Sequence, residues 1–526
     1  MKKYQILLFL LIIIIAVFFR FWQLNSIPPG LYPDVAINGI DAIKANDSGD
    51  YKLFYPDNNG REGLFINLIA LSFQIFGISI LSIKLVAAII GSLTVIGLFL
   101  LAKELFNSQI ALLSSFFLAI SFWHINFSRI SFRAIALPFI LVWAFYFLYR
   151  GLRTHKIINF ILAGIVFGLG FHTYIAIRIA PIILLIPLIQ LFYEQRREQQ
   201  TYKNIAVMVC IFSLFALLAA LPLLIYFKNN PADFLGRTGQ VSVFNAANPL
   251  KELTISTIKT FGMFNFYGDQ NWRHNYAGQP LLPWPIGILF IIGLVMPLKK
   301  IINQIREKIS TPISPDHTCQ AHPTSYLLLI TWFFVMLLPA ILTTEGLPHA
   351  LRAIGAIPPV FIFVGLGAWF SYNRLLQTKI NKKNILVACL AFLITVTISE
   401  YKKYFIYWGE NPATRDAFSQ NYVNIGDYLN TLLPVTIKKY VIVNQGGVEV
   451  NGLPMSAQTV IFITTAQKTK NITYLLPNQI DQITADRSTV VIPLANDEKL
   501  FNDLKNKFPM GKINQQNKFS VFSINH

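Results

Sequence analysis

Lys2-Lys3, then Ile6-Leu7-Leu8-Phe9-Leu10-Leu11-Ile12-Ile13-Ile14-Ile15-Ala16-Val17-Phe18-Phe19, then Arg20-Phe21-Trp22 and, a few residues on, Ile27-Pro28-Pro29-Gly30-Leu31-Tyr32-Pro33-Asp34 open the chain. An apolar run of this length matches one membrane crossing, which takes about 20 residues. The basic start also resembles a secretory signal peptide, but no small-x-small cleavage site follows, so the segment reads as an uncleaved anchor with its amino end in the cytoplasm. Asp34 then falls just beyond the exit of the first span. An acidic residue there has two readings: a functional site, the default for a carboxylate in a membrane protein, or the N-cap of the helix-like run Val35–Ile40.

The rest of the chain repeats the opening. Of its 526 residues 54% are hydrophobic and 13% charged, with a mean hydropathy of +0.51, against about 25% charged in soluble domains. This is the composition of an integral membrane protein. The net charge of +19 does not mark a nucleic-acid binder, because the basic residues lie between apolar segments, as the positive-inside bias predicts. Cys210, Cys319 and Cys389 are scattered, two of them inside apolar runs, and imply neither a disulfide framework nor a zinc site.

Apolar length predicts eleven spans, at 5–22, 81–102, 109–127, 134–149, 157–172, 175–193, 205–227, 281–298, 325–342, 353–371 and 385–400. Segment 63–77 is apolar but short. If it does not span, Lys103, Arg150, Arg153, Lys156, Arg196, Arg197, Lys203, Lys299, Lys300, Arg306, Lys308, Arg374, Lys379, Lys382 and Lys383 all fall in cytoplasmic loops. It is therefore read as a helix in the outer interface. External pieces are then 23–80, turns at 128–133 and near 173, loops 228–280 and 343–352, and everything after about 401. The predicted fold is an α-helical polytopic membrane protein in two domains, 1–404 and 405–526.

The second of these turns polar near Gln420. Runs of period two at Tyr440–Val443, Thr459–Ile463, Thr489–Ile492 and Phe519–Phe522, flanked by helix-like 421–433 and 497–508, predict a small extracytoplasmic α/β domain. It carries no phosphate loop, metal-ligand spacing or nucleophile elbow.

The external pieces collect the chemistry: Arg61 and Glu62; Arg129 and Arg133; His172, Tyr174 and Arg178; Asp269, Arg273 and His274; Glu345, His349 and Arg352. Singly each has an ordinary reading. Arginines at span ends snorkel to headgroups, aromatic residues form interfacial belts, loop histidines are solvated, and Arg61-Glu62 is an exposed local ion pair. Together they run against the positive-inside trend. An outer-face arginine needs an anion, and a phosphate matches its fork. A cationic outer pocket beside a lone carboxylate suits binding of a lipid phosphate and chemistry on what it carries.

Taken in order, Gly30-Leu31-Tyr32-Pro33-Asp34, Arg61-Glu62-Gly63-Leu64-Phe65, Ser128-Arg129 to Arg133, Tyr174 to Arg178-Ile179-Ala180-Pro181, Arg273-His274-Asn275 and Pro348-His349-Ala350-Leu351-Arg352 resemble membrane glycosyltransferases of the GT-C superfamily. The nearest branch is that of the protein O-mannosyltransferases and aminoarabinose transferases, over about residues 1–405. The resemblance implies a sugar donor on polyprenyl or dolichyl phosphate and transfer on the outer face. It also implies an inverting displacement with the first-loop acid, here Asp34, as general base. Arg61, Arg129, Arg133 and Arg352 are the candidates for the donor phosphate. Glu62, His172, Tyr174, Arg178, Asp269, Arg273, His274, Glu345 and His349 are candidates for positioning, with Glu62 and Glu345 orienting arginines. The family often has Asp-Glu where this chain has Asp34-Val35, which weakens the case for a metal in this loop; no cofactor is expected, a divalent ion being left open.

The expected partners are a lipid-phosphate sugar, membrane lipids, and a protein, lipid or glycan acceptor, but no nucleic acid. The expected place is the plasma membrane. Two other readings stand beside this one: a ligase or polymerase of lipid-linked oligosaccharides, which would keep its catalytic groups in the later loop around Arg273 and His274, and a transporter or flippase. A transporter would carry mid-membrane polar sites and repeats, whereas here the mid-span positions are almost wholly apolar.

Overall fold

A computed structural model describes residues 2–198, 202–235, 242–310, 323–432, 436–516 and 518–525; Cys319 falls outside these. Contacts divide the chain into two compact units: Met1–Leu24, Glu62–Phe65 and Lys84–Trp408, and Asn25–Arg61, Ile66–Ile83 and Gly409–His526. A cut at 404/405 leaves the first loop with the spans, whereas its segments pack with residues 409–526. The reason is burial: Ile37 of the first loop closes an apolar cluster with Val450 and Met455.

Among the described residues seven helices are long and apolar enough to cross a membrane: Lys3–Phe21 (α1), Ile80–Leu105, Arg133–Thr154, Asn204–Asn229, Thr324–Ile341, Ile354–Leu376 and Lys382–Trp408. They match seven of the eleven predicted spans. The other four fall on shorter apolar helices, Ser108–Ile120, Ile157–His172, Ile175–Leu191 and Trp284–Lys299. Two of the shortfalls have local causes. Ser121 turns to extended backbone between Ser108–Ile120 and Phe122–Phe127. Pro181 lies within the 3-10 segment Ile175–Leu184, where it removes a ladder donor. Segment 63–77 forms Leu64–Phe76, about 20 Å long at 1.5 Å per residue, short of the roughly 30 Å hydrocarbon core.

In the helical unit, arginines satisfy helix ends that no water reaches. The last carbonyls of a helix lack intrahelical donors, and in lipid they must find partners inside the protein. Arg20, near the end of α1, donates through Nη1 to the carbonyl of Ala119 at 3.0 Å and through Nη2 to that of Leu118 at 3.4 Å, at the end of Ser108–Ile120. Arg129 in turn donates to the carbonyl of Phe19 at 2.9 Å, near the end of α1. Elsewhere Gly293 and Gly367 let helices Trp284–Ser310 and Ile357–Leu376 touch backbone to backbone. A Cβ on Gly293 would collide with the Phe363 carbonyl, and one on Gly367 with that of Leu289, the small-residue packing common between membrane helices.

The second unit holds a five-stranded mixed sheet in the order Ile472–Leu475, Lys438–Ile442, Thr489–Pro493, Phe519–Ile524, Lys512–Gln516. The first three strands are parallel and the last two antiparallel. Alternation splits the side chains between two cores. Val441, Ile492 and Val521 pack with Ile425 and Leu429 of helix Gln420–Thr431; Ile442, Val491 and Phe522 pack with Leu500 and Leu504 of Glu498–Lys507. The predicted strand at Thr459–Ile463 is instead part of helix Gln458–Ala466. Val460 and Phe462 are both fully buried there, and a short run buried on two sides has no period by which strand and helix differ.

Candidate active site

Asp34 sits in the first turn of helix Pro33–Ser48 (α2), one residue after Pro33, whose fixed φ suits a helix start. Tyr32 holds the N-cap position and makes no side-chain cap bond, so the capping reading of Asp34 does not apply. The Asp34 side chain is half-buried, and among the described residues it has no hydrogen bond or ion pair. Its approach is held from the C-terminal part of the same unit. The Thr459 hydroxyl donates to the carbonyl of Leu31 at 2.9 Å, and Gly30, at φ +79°, lies so near the backbone of Phe418 and Gln420 that a Cβ would collide. Nearly two turns into α2, Gly39 abuts the Phe462 ring.

Asn38 and Asp41 follow Asp34 at helical spacings of four and seven, on the same face of α2. They bind Arg61: Nη1 donates to Asn38 Oδ1 at 2.8 Å, Nη2 pairs with Asp41 Oδ2 at 2.7 Å, and Nε donates to the Asp57 carbonyl at 3.1 Å. Arg61 is 1% exposed. A guanidinium committed on all three nitrogens and shut from solvent is a poor ligand for an incoming phosphate, so the structure gives Arg61 the task of bracing α2. Asn38 and Asp41 were missed in the sequence, although their spacing from Asp34 marks one polar face.

In the helical unit the remaining candidates separate. Arg129 is fully buried, with Tyr404 and Phe405 rings 5.5 and 5.1 Å from its guanidinium carbon. Its donation to Phe19 makes it a helix-end partner rather than a phosphate ligand. Arg178 donates to the carbonyl of Phe234 at 2.7 Å and covers that ring at 4.2 Å. His172 lies 2.9 Å from the Ala219 carbonyl, a contact between neighbouring helices, and Arg273 Nε donates to Asn271 within its own loop.

Of the four candidate arginines that keep partly open side chains, Arg133, Arg178, Arg273 and Arg352, two pair with a carboxylate among the described residues. Arg133 Nε pairs with buried Glu62 at 3.0 Å and the guanidinium lies 6.0 Å from the centre of the Tyr174 ring. Arg352 Nη1 donates to the Glu345 carbonyl and to Thr343 Oγ1 at 2.7 and 2.8 Å, and Nη2 pairs with the Glu345 carboxylate at 3.3 Å.

A third cluster joins two loops. Asp269 Oδ2 accepts from the Ala350 amide at 2.8 Å, with His274 Nδ1 at 3.1 Å and His349 Nδ1 at 3.9 Å. The two imidazoles stack with centroids 4.8 Å apart. Burial holds the His274 pKa below the ordinary histidine value, while Asp269 pulls it the other way.

The family model described as dolichyl-phosphate-mannose-protein mannosyltransferase matches residues 64–226. ArnT from Cupriavidus metallidurans, solved with bound undecaprenyl phosphate, superposes with a TM-score of 0.59 at 11% identity, covering 99% of this chain and 98% of that one. The fold is GT-C. A second GT-C relative in structure is the Archaeoglobus fulgidus oligosaccharyltransferase, with TM-score 0.52, 13% identity, and coverage of 97% of this chain and 69% of that one. The same archaeal enzyme, AglB, has been solved with an inhibitory peptide and a dolichol-phosphate, at TM-score 0.50 and 13% identity over 93% of this chain and 69% of that one. No curated protein matches the sequence. The structural likeness runs further than the resemblance in sequence, which covers about residues 1–405, whereas ArnT covers 99% of this chain.

Proposed function

We propose that this chain is an inverting glycosyltransferase that moves a sugar from a polyprenyl- or dolichyl-phosphate donor to an acceptor hydroxyl on the outer face of the membrane, with Asp34 as general base. The observation that carries the reading is a half-buried carboxylate, without a polar partner among the described residues, at the start of a braced helix in a GT-C fold. Solved proteins of that fold hold undecaprenyl phosphate and dolichol-phosphate, the same lipid-phosphate chemistry.

The donor is already activated, so two tasks remain. As the acceptor oxygen bonds to the anomeric carbon, its proton passes to the Asp34 carboxylate, help worth about 10²–10⁴-fold. The bond from the anomeric carbon to the phosphate oxygen breaks, and the departing lipid phosphate gains negative charge. Arg133 and Arg352 meet that charge; oriented donors in a water-poor site stabilise it far better than in bulk water. Glu62 and Glu345 hold the two guanidinium planes, and Tyr174 lies beside Arg133. Direct displacement with inversion needs no cofactor. The protein works in a plasma membrane with its N-terminus in the cytoplasm and residues 405–526 outside, and its acceptor is a protein, lipid or glycan of the cell envelope.

The test is consumption of a polyprenyl-phosphate sugar by the purified protein in detergent, where no second compartment exists. Turnover with release of polyprenyl phosphate supports transfer. A protein that binds the lipid without consuming it, across a panel of acceptors, sinks the reading and leaves transport.

A further inference from the structure

We propose that Asp269, His274 and His349 form a binding site for a divalent transition cation, Zn²⁺ first among them. The site does not depend on the glycosyl-transfer reading.

Two imidazoles and one carboxylate are a ligand set that zinc takes in open sites, with a further position for an oxygen ligand. Their candidate ligand atoms already lie within 4.8 Å of one another. Around a shared zinc at about 2.0–2.2 Å per bond, ligand atoms sit about 3–4 Å apart. The 3.1 and 3.9 Å separations from Asp269 Oδ2 to the two Nδ1 atoms fall in that range, and the widest separation in the cluster, up to 4.8 Å, closes by about 1 Å on binding. The three groups come from two loops far apart in sequence, so their convergence is a product of the fold.

The surroundings are those of a prepared ligand. Asp269 Oδ1 accepts from the Asn271 amide and Oδ2 from the Ala350 amide, both at 2.8 Å; such outer partners fix a metal-binding carboxylate in orientation. Asp269 and His274 are 2% and 4% exposed, and the less buried His349 side chain gives a cation its way in. Binding would pin loop 343–352, which carries Arg352, to the loop that carries Arg273.

The experiment uses the full chain in detergent, tag removed and treated with a chelator. Cobalt is titrated as a visible probe and zinc content is measured after dialysis. The expected result is one tightly held ion per chain, ligand-field bands of low-coordinate cobalt, and a melting temperature that rises with Zn²⁺. His349→Ala should lose the bands and the thermal shift. Wild-type protein with no bands and no retained zinc overturns the proposal and leaves an ion-free hydrogen-bonded clamp. Retention unchanged in both His349→Ala and Asp269→Asn also overturns it, as binding elsewhere. The wild-type titration decides even if a variant fails to fold.

Discussion

The hydroxyl of Thr459, in a helix of the C-terminal region, donates a hydrogen bond to the carbonyl of Leu31, three residues ahead of Asp34. Both partners are buried, and the bond ties the entry of α2 to the sheet region. Thr459→Val leaves that carbonyl unpaired, at a cost of about 1–3 kcal/mol, and lets the start of α2 shift. Transfer should slow about tenfold, since 1.4 kcal/mol in a barrier is a factor of ten, with donor KM unchanged. Thr459→Ser should restore the rate. Equal losses in both variants would deny the bond a positioning role.

Asp34→Asn keeps the shape of the side chain and removes its basicity. Turnover should drop by about 10²–10⁴-fold, the usual worth of general-base help, with yield, melting temperature and donor binding at wild-type levels. Steady-state kinetics with a synthetic polyprenyl-phosphate sugar measures this. Activity within a few-fold of wild type would remove Asp34 from the chemistry.

Arg352 and Arg129 should part company. Arg352→Ala is expected to raise donor KM or lower kcat by at least tenfold with little change in melting temperature, because its Glu345 partner is largely exposed. Arg129→Ala is expected to lower folded yield and melting temperature. It opens a cavity against Tyr404 and Phe405 and leaves the Phe19 carbonyl unpaired in a lipid-facing fold, where such a group costs several kcal/mol. Thermal melts and donor titrations on both proteins decide; a cleanly folded Arg129→Ala with weakened donor binding would return Arg129 to the phosphate.

Gly39→Ala should destabilise α2 by about 1–3 kcal/mol, the usual cost of overpacking, because the added Cβ would come within 2.6 Å of the Phe462 ring and 2.9 Å of Ile83. Phe462→Leu in the same chain should recover part of the loss. Melting curves of the single and double variants check the coupling; strict additivity would mean that the two residues do not press on each other.

What sequence reading caught and missed follows from range. α1 and Ile80–Leu105 were legible because a span is a local property: enough apolar residues in a row. Thr459–Ile463 misled because burial on two sides erases periodicity. Strands Ile472–Leu475 and Lys512–Gln516 escaped notice because one is short and the other, Lys-Ile-Asn-Gln-Gln, is a polar edge. Glu62 and Glu345 were expected to orient arginines; Glu345 pairs with Arg352, but Glu62 is buried and pairs with Arg133, not with its sequence neighbour Arg61, which pairs with Asp41. Arg61 and Arg129 read as phosphate ligands because a sequence shows a charge but not who neutralises it.

Hydropathy and the placement of basic residues between apolar segments were settled by the chain alone, since solvent transfer and loop charge act over neighbouring residues. Which arginine is shut away, which carboxylate is left without a polar partner among the described residues, and that His349 stacks on His274 were decided by packing between distant segments. Those outcomes turn on competition among hydrogen-bond partners for buried space, which linear order does not encode.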